Sequence, residues 1–150
     1  MSAPQTNGNA PGTDPESAPG TSPKIRDATE ADMPRIAEIY AHYVCSSVAT
    51  FEEIPPDTAE ITARFHRLAA LELPWLVLED DSVLQGYAYA APFRDRSAYR
   101  FTVEDSIYIA ADRLRRGYGA LLLAELIARC ETLGKRQMIA VVGGSESSAS

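Results

Sequence analysis

Cysteine is scarce in this 150-residue chain: Cys45 and Cys130 stand alone and far apart. A disulfide scaffold is excluded. With only two histidines, His42 and His66, no close Cys/His spacing offers a zinc site. No apolar run approaches the ~20 residues needed to cross a bilayer. The first ten residues carry neither a basic residue nor an apolar core, so they do not read as a secretory signal. Basic residues are outnumbered, 14 Lys and Arg against 21 Asp and Glu, for a net charge of −7. That excludes the basic stripe of a nucleic-acid binder and the polybasic face of a membrane-surface protein. The chain is 45% hydrophobic and 23% charged, which suits one globular domain. The expectation is a reduced, cytoplasmic protein with no metal, nucleic-acid or membrane partner.

Residues 1–23 differ from the rest. They hold five of the ten prolines and three of the nine glycines, with no Lys, Arg, Val, Ile, Leu or aromatic. Such a stretch buries too little apolar surface to offset its ordering entropy, so it reads as a disordered Pro/Gly/Ser-rich tail before a domain over 24–150. Lys24 to Ala28 reads as a strand. Thr29, with Asp32 three residues on, caps a helix reaching Ser46, its apolar stripe formed by Ile36, Ile39, Tyr40 and Tyr43. Pro55 and Pro56 end the following loop, and Asp57 or Thr58 caps a second helix to Leu71. Strands follow at Trp75–Leu78 and Val83–Ala91 around a turn over Glu79–Ser82, then at Phe101–Ala110. A helix over Leu121–Leu133 is closed by Gly134, and Met138–Val142 reads as a buried strand. The order predicts an α/β (α+β) protein with a mixed sheet flanked by helices.

The sharpest local signal runs from Ile107 to Leu123: a strand enters a Gly-containing turn that opens a helix. Gly117 and Gly119 let backbone approach a ligand closely, and the first helical amides favour an anion. Arg115 and Arg116 add charge, so a pyrophosphate site is one reading and an ordinary glycine-led helix start is the other. A dinucleotide fingerprint would need Gly at Leu122, and no Gly-Lys-Ser/Thr follows to make a Walker loop.

Further residues bring in a resemblance. Ile39–Val44, Ala49-Thr50-Phe51-Glu52-Glu53, Gly86-Tyr87-Ala88-Tyr89, Pro92-Phe93-Arg94, Ala98-Tyr99-Arg100, Thr102–Ile109, the Gly turn and Ala140–Gly143 together resemble the GNAT acyl-CoA N-acyltransferases. Within them they resemble the branch that acetylates phosphinothricin, methionine sulfoximine and methionine sulfone. The resemblance runs from Ile25 to Ser150. It implies the GNAT fold, acetyl-CoA as co-substrate with no metal, and an N-acetyltransferase acting on the α-amine of a small amino acid by direct transfer. Arg115, Arg116, Gly117, Tyr118, Gly119 and Ala120 would then hold the pyrophosphate, and the backbone of Ile107, Tyr108 and Ile109 the pantetheine. The family turn, Gln/Arg-x-x-Gly-x-Gly/Ala, departs at its first position, Leu114, and Arg115 stands where Gly is common. Ser147 takes the place of the usual CoA-contacting Asn.

For the chemistry, the amine must lose a proton, the thioester oxygen needs a donor, and a substrate carboxylate needs a cation. Glu104 is the implied base, directly or through a water, against the competing reading of a solvated strand Glu. Asp105 and Ser106 follow as substrate-side residues. Arg94, Asp95 and Arg96 lie in the loop the family uses for substrate, and Phe51 and Glu52 in the loop that shapes the pocket. His42 reads as a structural hydrogen-bonding residue and Cys130 as core. Relatives continue past the last strand with a helix and two strands, so the chain is expected to be C-terminally incomplete, with an open strand edge. The alternatives are a truncated, inactive CoA-binding fragment, and a protein N-terminal acetyltransferase. The implied partners are the two small molecules and, as an oligomeric form to test, a homodimer.

Overall fold

The computed structural model describes residues 22–46, 50 and 52–141. Nearly all of the N-terminal segment read as a disordered tail lies outside these residues. The chain builds one five-stranded sheet in the order β1-β2-β3-β4-β5. These strands are β1 (Lys24–Asp27), β2 (Trp75–Asp80), β3 (Val83–Pro92), β4 (Thr102–Ile109) and β5 (Gln137–Ala140). The first four are antiparallel neighbours, and β5 joins β4 in parallel. The sheet is therefore mixed, as expected.

A 3-10 turn at Glu30–Asp32 leads into α1 (Met33–Ser46), and α2 (Thr58–Ala70) follows. The Thr29 amide donates to the Asp32 carboxylate at 2.8 Å, and Asp57 caps α2 by accepting from the Glu60 amide at 2.8 Å. Arg26 grips Asp32 through both terminal nitrogens at 2.8 Å and reaches Glu79 of β2, tying the start of α1 to the sheet. Helix α3 (Tyr118–Thr132) buries Tyr118, Leu122, Leu126 and Cys130, a stripe four residues apart that faces the sheet. It ends in a Schellman motif: Gly134 at φ 79° lets the Lys135 amide reach the Cys130 carbonyl at 3.0 Å and its own amide reach Glu131 at 2.9 Å.

Successive residues of β4 point to opposite faces. Tyr108 packs on Tyr40 and Tyr43 of α1, while the Ile109 side chain lies with Leu122 of α3 over Gly86. Phe65 of α2 meets Trp75, which stacks on Tyr87, so α1 and α2 share one face and α3 covers the other.

Three expectations are corrected. The β2–β3 turn is Asp81-Ser82 alone, both residues left-handed (φ 52° and 62°), because a two-residue turn of that hand matches the twist of its strands. Glu79 and Asp80 thereby stay in β2. Helix α3 starts at Tyr118 rather than Leu121. Finally, β5 is not buried: Gln137 and Ala140 are exposed and Met138 and Ile139 half-buried, because β4 is its one strand neighbour among the described residues.

Candidate active site

Parallel pairing of β4 with β5 stops at Asp105 and Ala140. From Ser106 to Ile109, β4 is paired with β3 on one edge, and its other edge has no strand partner among the described residues. A cavity of about 460 Å³ opens at this fork. Its walls come from every layer around it: Tyr40 and Tyr43 of α1, Thr50 and Glu52 of the α1–α2 connection, Arg64 of α2, Tyr89 of β3, and Glu104 to Tyr108 of β4.

The acids in the cavity stand in different environments. Glu52 accepts from the Tyr40 hydroxyl at 2.5 Å and takes Arg64 in a two-pronged pair, with nitrogen–oxygen distances of 2.5 and 3.3 Å. The Arg64 guanidinium holds its carboxyl below the usual range. Arg64 also reaches Glu60 at 3.1 Å and so is neutralised from two sides. Glu104 has no side-chain hydrogen-bond or ion-pair partner among the described residues. It is a free carboxylate in an aromatic-walled cleft. Asp105 alternates toward α3, where its charge acts on the Cys130 thiol, yet at the fork it still reaches the cavity. Burial raises its carboxyl above the ordinary value.

Tyrosines make the remaining walls. Tyr108 sits 5.2 Å from Tyr40, 5.3 Å from Tyr43 and 5.5 Å from Tyr87, centroid to centroid. Burial pushes the Tyr108 phenol up to about 12 and raises Tyr40, Tyr43 and Tyr89 as well. All four are neutral hydroxyls near pH 7. The Tyr43 hydroxyl donates to the Ile109 carbonyl, so one of the backbone groups expected to pair with pantetheine already has a partner.

Beyond β4, a 3-10 turn at Ala111–Arg113 leads to the Gly turn. Arg115 takes φ 65° and Gly117 φ 80°. An arginine thus carries a left-handed backbone here, a conformation that glycine adopts at less cost. Gly117 is the residue before α3, and no side chain caps the helix. The first intrahelical bond of the turn is Leu121 amide to Gly117 carbonyl at 3.2 Å, so the amides of Tyr118, Gly119 and Ala120 have no acceptor inside the helix. A Cβ on Gly119 would meet no atom within 4 Å. Gly119 is thus open on its Cβ side, and Arg115 and Arg116 precede these amides in the chain. This geometry suits an anion.

The structure brings Glu52, Glu104, Asp105, Ser106, Ile107 and Tyr108 together around one cavity. Arg94, Asp95 and Arg96 are not among its walls. They are exposed, and Arg94 stacks on Phe93 at 4.9 Å and lines a separate cavity of about 210 Å³ with Arg100 and Lys135. Phe51 and Ser147 lie outside the described residues. His42 is exposed against Tyr43, and Cys130 is core. Sequence reasoning missed Arg64, which had a signal: it falls among Ile61, Phe65 and Leu68, a charge inside the apolar stripe of α2. Tyr40, Tyr43 and Tyr89 were visible only as packing residues. Among the described residues, no group of three or more His, Cys, Asp or Glu side chains could hold a metal ion, and no helix is long and apolar enough to cross a membrane.

The model of the acetyltransferase (GNAT) family matches residues 36–149. The chain is 52% identical over 126 residues to a phosphinothricin N-acetyltransferase of Alcaligenes faecalis, an alignment covering 84% of this chain and 64% of that protein. It is 35% identical over 116 residues to an L-methionine sulfoximine/L-methionine sulfone acetyltransferase of Salmonella typhimurium, covering 77% and 68%. The crystal structure of a GNAT superfamily phosphinothricin acetyltransferase from Sinorhizobium meliloti in complex with AcCoA superposes with a TM-score of 0.80 at 48% identity, over 85% of this chain and 69% of that one. The chain thus spans a little under two thirds of the length of the Alcaligenes relative.

Proposed function

The chain belongs to the GNAT acetyltransferase family and has its fold, and from that premise we propose that it transfers an acetyl group from acetyl-CoA to the α-amine of a small amino acid or analogue of the phosphinothricin or methionine sulfoximine type. One observation carries the reading: a single strand, β4, presents the Glu104 carboxylate in an open, aromatic-walled cleft and runs at its far end into an uncapped, glycine-led helix start. The relatives' names and the AcCoA complex of the Sinorhizobium protein support it.

In this reading the amides of Tyr118, Gly119 and Ala120 hold the pyrophosphate, with charge from Arg115 and Arg116. The edge of β4 over Ile107–Ile109, where the Ile109 carbonyl is already taken by Tyr43, aligns the thioester arm. Acetyl-CoA supplies the acyl group as a thioester. Glu104 accepts the proton that the ammonium must lose, directly or through a water, and the neutral amine displaces the thiolate. An amine and a thioester become an amide and a thiol. Asp105, Ser106 and Glu52 face the substrate, Phe51 is assigned to the same substrate pocket, and Arg94, Asp95 and Arg96 supply charge from the neighbouring loop. Ser147 is assigned to CoA. The two unpaired cysteines support a cytoplasmic setting, and the exposed Leu121 and Ile127 of α3 support a homodimer.

The test is release of free thiol from acetyl-CoA in the presence of phosphinothricin, methionine sulfoximine, methionine sulfone or a peptide N-terminus, alongside calorimetric titration of CoA. Turnover with the free amino acids and none with the peptide is expected. CoA binding without turnover would favour an inactive binding fragment, and turnover confined to the peptide would favour a protein N-terminal acetyltransferase.

A further inference from the structure

Nothing in the assigned site explains how the Gly turn keeps its shape. Arg115 holds a left-handed backbone that only surrounding contacts maintain, and no side chain caps α3. The first helical residue supplies the missing restraint. The Tyr118 ring is 6% exposed, and its hydroxyl donates to the carboxylate of Asp80, 38 residues away in sequence. The Arg116 guanidinium bears on the same phenol. Asp80 is itself well anchored. It ends β2, whose Leu76, Val77 and Leu78 are fully buried, and it closes against Val83 across the left-handed Asp81-Ser82 turn.

We propose that Asp80 and Tyr118 form a latch that holds the anion-binding turn at the start of α3 in its ligand-ready shape, making Asp80 a positioning residue for acetyl-CoA without contact to it. The proposal rests on the acetyl-CoA reading above. Its physics is preorganisation: a turn that is ligand-ready for only part of the time binds more weakly in proportion to that fraction. The latch lies behind the turn, on the β2–β3 hairpin, whereas the amine cavity lies at the β4–β5 fork. Its loss therefore separates the two substrates.

The experiment compares Tyr118→Phe, Asp80→Ala, their combination and Asp80→Asn by calorimetric CoA titration and by KM for each substrate. Phenylalanine keeps the buried ring and removes only the hydroxyl. Tyr118→Phe is expected to weaken CoA binding roughly three- to tenfold, with acetyl-CoA KM rising in parallel and amine KM unmoved. Asp80→Ala should weaken CoA binding in the same direction, and the double variant should be no worse than Tyr118→Phe alone, because removing the hydroxyl already breaks its contacts with both Asp80 and Arg116. Asp80→Asn keeps an oxygen acceptor and should stay within about twofold of the parent. Unchanged CoA affinity in Tyr118→Phe, additive losses in the double variant, or a joint rise of both KM values would overturn the latch. A parent protein that binds no CoA would overturn the reading beneath it, and the latch as well.

Discussion

Gly86 is the place where a single methyl group should be felt in both stability and ligand binding. It pairs with Ile109 across β3 and β4, directly beneath α3. A Cβ built there lies 2.6 Å from Ile109 Cδ1, 3.2 Å from the Tyr108 carbonyl oxygen and 3.4 Å from Leu122 Cδ1. Carbon atoms in proteins rest about 3.5–4.0 Å apart, so Ile109 must withdraw by about 1 Å. It has little room, being 9% exposed against a Leu122 that is wholly buried. The carbonyl cannot yield without moving the β4 ladder. Overpacking of this kind costs about 1–3 kcal/mol, while the stiffer unfolded chain returns about 0.4–1 kcal/mol. Gly86→Ala should therefore destabilise by about 1–2 kcal/mol, a large share of a total of roughly 5–15. The strain pushes on Leu122, one turn inside α3 from the Gly turn, so acetyl-CoA KM should rise as well. Ile109→Val removes the clashing atom. Alone it should cost about 0.5–1.5 kcal/mol, but on the Gly86→Ala background it should recover about 1 kcal/mol relative to the sum. Urea unfolding of the parent, both single variants and the double variant measures all four corners. A Gly86→Ala cost below about 0.5 kcal/mol, or strict additivity with Ile109→Val, would refute the reasoning.

Glu104→Gln should lower kcat/KM about 10²- to 10⁴-fold and flatten its pH dependence with CoA affinity unchanged, because the amide keeps the shape but cannot accept a proton; parental activity at pH 7 would remove Glu104 from the reaction. Gly119→Val places its branches in the open space before the α3 amides, so calorimetry should show weaker CoA binding in a folded protein; unchanged affinity would mean the anion lies elsewhere. Asp32→Asn tests the Arg26 cluster. The carboxyl of Asp32 is held below its ordinary 3.8, chiefly by Arg26, so its contribution is full above that value and is lost as pH falls through the lower folded-state value. The variant should be about 1 kcal/mol less stable than the parent at pH 7, discounted for the partly exposed Arg26, and the gap should close in strong acid. A gap independent of pH would point to packing rather than charge.

Periodicity and caps made the elements readable, since Thr29, Asp57 and Gly134 each act locally on the residues beside them. The hairpin was misjudged where composition misleads: Glu79 and Asp80 look like turn residues, but pairing with β3, and for Glu79 also with β1, keeps them extended. The start of α3 was placed three residues late, because Tyr118-Gly119-Ala120 carries no capping side chain to mark it. Of the strand expected over Met138 to Val142, Met138 to Ala140 lie in β5, Val141 lies beyond it and Val142 lies outside the described residues, and the strand's exposure depends on what pairs beside it and not on its own residues. In the cavity, Glu52 and Glu104 were identified through a resemblance, and no local pattern singled them out. The Arg64–Glu52 pair was invisible because it joins a helix to a loop, and only tertiary packing sets that distance.

The sheet order also bears on the sequence of events by which the chain assembles. Strand neighbours follow chain order, but the spans they close differ widely. β2 and β3 meet across two residues, β3 and β4 first meet at Pro92 and Val103, β4 and β5 join Thr102 to Gln137, and β1 first meets β2 at Asp27 and Leu76. Short spans lose less chain entropy on closing, so β2, β3 and β4 are expected to form the early meander, with α3 and β5 docking later. The fork at Asp105 and Ala140 is the seam between these two stages. A bound molecule bridging β4 and the start of α3 would stitch the seam, and it would slow the escape of the late-docking unit far more than that of the meander. Hydrogen exchange along β5 and α3 would therefore report occupancy from a distance, through amides that never touch the ligand.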